Sequence, residues 1–147
     1  MKAQKMNGLI RNIFLGVFVI MIGLPLTSCA KKIPFLNSSV VPAAKGFTTV
    51  KIDSNKNFVV KINVSDLAAV ERLQTAKLTY VAWMETDQGN MENLGQLKSL
   101  TSFFSKRHKA SLETVTPYKP TKVFITSESD INVQYPGTQI VLTTNPF

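Results

Sequence analysis

Residues 58–64 read FVVKINV and set Phe58, Val60, Ile62 and Val64 on one side of an extended chain, with Lys61 and Asn63 on the other. Strict alternation of this kind is the mark of a half-buried β-strand. Working outward, FTTVKI (47–52) puts Val50 and Ile52 on one face, and the SNKN turn (54–57) joins it to the first stretch. Downstream, AKLTYVAWME (76–85) carries Leu78, Tyr80, Ala82 and Met84 on one side and Val81 and Trp83 on the other. A strand apolar on both faces belongs at the centre of a sheet, covered twice.

The pattern continues to the C-terminus. TDQGN (86–90) is a turn, MENLGQL (91–97) a return strand, and residues 98–109 a polar loop containing Phe103 and Phe104. ASLETV (110–115), KVFIT (122–126) and TQIVLTT (138–144) follow, separated by Pro117, Pro120 and the Pro136-Gly137 pair. DLAAVERL (66–73) suits one or two helical turns capped by Ser65 or Asp66. About seven short strands with regular turn signals predict an all-β, immunoglobulin-like antiparallel β-sandwich over residues 47–147. The tryptophan on its third strand fits the core of such a domain. One cysteine in 147 residues excludes an internal disulfide and any zinc site built from several thiolates.

The N-terminal part has a different character. Lys2, Lys5 and Arg11 precede an apolar run from Ile13 to Leu26, broken by Gly16, Gly23 and Pro25. The run is shorter than the roughly 20 residues that a spanning helix needs. A basic start, a short apolar run and a small-residue exit describe a secretory signal peptide. Its exit, Leu26-Thr27-Ser28-Cys29, resembles the lipobox of bacterial lipoproteins. The resemblance implies cleavage before Cys29, diacylglycerol on its sulfur, and acylation of the new amino terminus with a fatty acid such as palmitate. The expected organisation is a signal peptide over 1–28, a lipidated tether over 29–46 and the sandwich over 47–147. Pro34, Pro42, Gly46 and the Asn37-Ser38-Ser39 stretch support the tether.

Each buried methylene contributes about 0.8 kcal/mol and a single acyl chain binds only marginally, so several chains on one residue make a lasting anchor. Lys31 and Lys32 would add about 1 kcal/mol each at anionic headgroups. Among lipoproteins, an aspartate after the cysteine favours retention at the inner membrane. Ala30 stands there, which favours the outer membrane where the cell has one. Cleavage would remove 28 residues and three of the 17 cations, leaving 119 residues with 14 cations, nine acids and a net charge of +5. That balance suits an anionic surface without calling for nucleic acid.

In the second half, Tyr80-Val81-Ala82-Trp83, Leu94-Gly95, Phe124-Ile125-Thr126-Ser127-Glu128, Pro136-Gly137 and Ile140-Val141-Leu142 occur in an order that resembles the extracytoplasmic C-terminal β-sandwich domain of anti-sigma-K factors. The likeness spans about 65 residues and implies a sandwich outside the cytoplasm. The sigma-binding domain, zinc site and spanning helix of those factors have no counterpart in this chain, so inhibition of a sigma factor does not carry over.

Candidate sites are few. His108 in SKRHK has no orienting acid or nucleophile nearby in sequence and reads as a loop histidine. Lys106, Arg107, His108 and Lys109, with Phe103 and Phe104 just before them, form a patch suited to anionic lipid, polysaccharide or a protein partner. The plainer reading is a charged loop whose phenylalanines plug the sandwich end. Glu85, Asp87 and Glu92, and Glu128 with Asp130, bracket turns that match no calcium loop. The nine acids are expected to lie outside apolar settings, which disfavours a glycosidase pair. Tyr80 and Trp83 read as core residues rather than a sugar platform. No cofactor, metal or catalytic residue is implied. The sequence points to a non-enzymatic envelope module, with an accessory sensor in envelope signalling and a small envelope hydrolase as alternatives. The partner expected besides the membrane is an envelope protein or glycan.

Overall fold

The structure, a computed structural model, describes residues 30–70, 73, 77–100 and 109–147. Nine strands are present among them: β1 (Lys32–Pro34), β2 (Lys45–Ile52), β3 (Phe58–Ser65), β4 (Thr79–Thr86), β5 (Met91–Gln96), β6 (Lys98–Leu100), β7 (Lys109–Thr116), β8 (Pro120–Glu128) and β9 (Ile140–Thr143). They form two antiparallel sheets, β1-β2-β3-β7-β6 and β5-β4-β8-β9. Setting β1 aside, the order β2-β3-β7-β6 facing β5-β4-β8-β9 is that of an immunoglobulin-type sandwich, strands ABED against C′CFG. The expected fold is therefore the observed one.

Period-two patterning builds the core. Val60, Ile62 and Val64 of β3 face Ala82 and Met84 of β4 and Val123 and Ile125 of β8, all buried in one cluster. A side chain of this kind contributes about 1.5–3 kcal/mol when fully withdrawn from water. The β2–β3 turn is fixed by Asp53, whose carboxylate accepts hydrogen bonds from the backbone N–H groups of Asn55 and Asn57, each 2.8 Å. Outside the core, Lys61 and Glu113 pair at 2.9 Å on the exposed face of β3 and β7, where such a contact adds little.

Four expectations need correction. Trp83 is buried, but in the wrong place for an intersheet tryptophan. Alternation sends Ala82 and Met84 into the core, so Trp83 packs on the outer face of β4 with Val81, Phe124 and Val133. The segment read as a tether is attached to the domain. Ile33 opposes Thr48 on β2, Lys32 Nζ stands 4.9 Å over the Phe47 ring, and Val41 and Ala44 join the core. Phe35 then bridges to Thr144, so this segment touches both sheets. The loop expected over 98–109 yields β6 at one end and the first residue of β7 at the other. Finally, the one or two helical turns expected over 66–73 come down, among the described residues, to a 3-10 turn at Val70, whose carbonyl accepts from the Leu73 N–H at 3.2 Å, with no α-helix. Asp66 has φ 56°, which is not a capping conformation, and Leu67 and Val70 fold inward against the core.

Candidate functional site

The sandwich has two ends of different character. At one end lie the C-termini of β2, β4 and β7, and there β1 begins, because antiparallel pairing sets Lys32 opposite Thr49 near the end of β2. At the other end, the starts of β4, β6 and β7 and the chain after β3 enclose a cleft of about 500 Å³. Leu67, Val70, Leu78 and Leu97 give it an apolar lining, and the exposed Lys98 and Lys109 stand at its edge. Tyr80 closes one wall, its hydroxyl donating to the Ala68 carbonyl at 3.0 Å. Thr79, only 5% exposed, also lines the cleft, and its hydroxyl has no hydrogen-bond partner among the described residues. A buried unsatisfied hydroxyl costs about 1–3 kcal/mol. By alternation that hydroxyl lies on the outer face of β4, opposite Glu128, so the cleft itself offers an apolar lining, and the two lysines favour negative charge on a ligand with an apolar body.

Of the sequence-expected contact patch, Lys109 is described and lies on this cleft. Phe103, Phe104, Lys106, Arg107 and His108 lie outside the described residues, as does Cys29. Among the described residues no three of His, Cys, Asp and Glu come together as a metal site. No helix among them is long and apolar enough to cross a membrane.

A second cluster lies on the outer face of β4 and β8, under the loop that joins β8 to β9. Trp83 Nε1 donates to Thr126 Oγ1 at 2.9 Å, and Thr126 donates to Glu128 Oε1 at 2.5 Å. The same carboxylate oxygen accepts from the Gly137 N–H at 2.7 Å. Glu128 is 4% exposed, contrary to the expectation that no acid would sit in an apolar setting. Its cover comes from the polar loop 129–139, which carries no periodic signal. Asn93 secures the same loop by donating to the carbonyls of Ile131 and Val133. Leu94 is the extra residue of a bulge opposite Ala82 and Trp83, and Gly95 next to it has φ 115°, a conformation open to glycine.

Trp83, Thr126, Glu128 and Gly137, drawn from the Tyr-x-x-Trp, Thr-x-Glu and Pro-Gly pieces of the sequence, thus converge on one polar tie that holds a loop to a sheet, while Tyr80 and Leu94 face the core. Gly137 is needed there because a β-carbon would stand 2.8 Å from Glu128 Oε2 and 3.0 Å from Oε1. With that carboxylate already fixed by Thr126, Gly137→Ala should destabilise the fold by about 1–3 kcal/mol, as overpacking does. A urea midpoint equal to wild type would show that the loop yields freely.

Comparison with known proteins returns no matching family model, no matching curated protein and no matching solved structure.

Proposed function

We propose that this chain is a membrane-anchored envelope lipoprotein whose sandwich is a non-enzymatic binding module, with the cleft bounded by Lys98 and Lys109 as its binding site. The anchor is the lipid on Cys29, and the domain faces the periplasm or the cell exterior, at the outer membrane where one exists. One observation carries the reading: β1 starts at one end of the sandwich and the cleft opens at the other. Anchored through Cys29, the domain would present the cleft away from the bilayer, toward an envelope protein or glycan. The buried carboxylate that could serve a hydrolase, Glu128, is occupied in tying down a loop. The resemblance to anti-sigma-K domains keeps an accessory role in envelope signalling as the second reading, and it rests on the same sandwich.

Two measurements test the proposal. Cys29→Ser should abolish incorporation of a fatty-acid probe into the protein in cells; undiminished labelling removes the anchor. A photo-crosslinking residue at Leu78, beside the cleft, should capture a discrete partner in intact membranes. Lys98→Glu with Lys109→Glu should cut that product at least severalfold, since like charge would oppose an anionic partner. A product indifferent to the reversal takes the cleft out of the binding role.

A further inference from the structure

The end of the sandwich where β1 begins has a surface of its own. Ile52 closes β2 with 67% of its surface exposed, and Val115 and Tyr118 are exposed beside it. Register sets Ile52 and Val115 at the same end but on opposite faces of the sheet: Lys51, Val59 and Val115 line up on the outer face, and Ile52, Phe58 and Thr116 on the inner, so the apolar residues straddle the rim. Around this apolar edge stand the exposed Lys51, Lys56 and Lys119. Of the acids here, Asp53 is half-buried and engaged with two backbone N–H groups, while Asp87 is exposed on the β4–β5 turn. Apolar residues with a tyrosine among lysines match the chemistry of an anionic membrane interface.

The length of chain outside the fold decides what meets this surface. Lys32 is already paired with Thr49, three residues short of the end of β2. Only three peptide steps separate Lys32 from Cys29, a reach of about 10 Å when fully extended. A residue held in the headgroup region by its acyl chains therefore leaves the domain no room to stand off.

We propose that this end of the sandwich, with Ile52, Val115 and Tyr118 inserted among headgroups and Lys51, Lys56 and Lys119 around them, lies directly on an anionic phospholipid bilayer. The proposal rests on the lipid-anchor reading given above. It turns an anchored domain into a docked one with a fixed orientation, so that the cleft points outward by geometry rather than by chance.

The test uses the full chain, processed and acylated in cells, so that the sulfur of Cys29 is already consumed. Ile52→Cys and Leu78→Cys are prepared separately and labelled with an environment-sensitive fluorophore. Leu78 is 76% exposed at the opposite end and serves as the reference. Each protein is reconstituted into vesicles of phosphatidylethanolamine and phosphatidylglycerol with a spin-labelled lipid as quencher. Emission from position 52 should shift to the blue and lose intensity to the quencher, while emission from position 78 does neither. Two labels equally in water, or equally quenched, overturn the docked orientation when mass spectrometry finds the acylated Cys29. A bare Cys29 with the N-terminal leader retained overturns the anchor reading and the docking with it.

Discussion

Trp83→Ala should lower the free energy of unfolding by about 3–5 kcal/mol, read as a fall in the urea midpoint at unchanged slope. The indole is fully buried, and three things are lost with it. Its apolar area no longer covers the outer face of β4, its ring no longer stacks on Phe124 at 6.5 Å, and its N–H no longer supplies Thr126. The site collapses poorly because β4 lies between β5 and β8 and cannot shift without breaking both ladders. For a domain whose whole stability is about 5–15 kcal/mol, the variant would approach the folding threshold. A loss below about 1 kcal/mol would place the indole in an adaptable surface pocket instead.

The second large effect is expected from a change that barely alters volume. Thr126→Val keeps the β-branched shape that suits a central strand. It removes a hydroxyl that accepts from Trp83 and donates to Glu128. The indole N–H and the Glu128 carboxylate are then left short of a partner in a site without water access. Bonds to charged groups contribute about 1.5–3 kcal/mol, and an orphaned buried group costs about 1–3 kcal/mol, so a loss of about 3 kcal/mol is expected. Trp83→Phe in the same background should recover part of that loss by removing the orphaned donor. Strict additivity of the two changes in a double-mutant cycle would mean that Trp83 and Thr126 act independently, contrary to the hydrogen bond.

Much of the architecture was legible in the sequence because each central strand carries its own alternation. FVVKINV and AKLTYVAWME reveal their faces without reference to a partner, and both faces of the second proved covered. Elements whose reason lies elsewhere in the chain were not legible. KIP (32–34) has one apolar residue and a proline, and it is a strand because β2 offers it an edge. Trp83 could be seen to lie on the other face from Ala82, yet only the structure shows which of those faces meets the second sheet. Glu128 gave no sign of burial, because its lid is a polar loop placed by Asn93 and Gly137. The cleft draws residues from the starts of three strands and from the chain after β3, a convergence with no linear motif.

The course of residues 32–44 has one more consequence. By pairing with β2 through Lys32–Pro34 and then bridging Phe35 to Thr144, with the Leu36 N–H bonded to the Thr143 carbonyl, one short stretch lies along a border strand of each sheet. Unpaired border strands invite other chains to add to them, the route to edge-to-edge aggregation. The strap therefore doubles as a guard, and a fragment trimmed to its apparent globular start at Phe47 would bare two sticky margins at once.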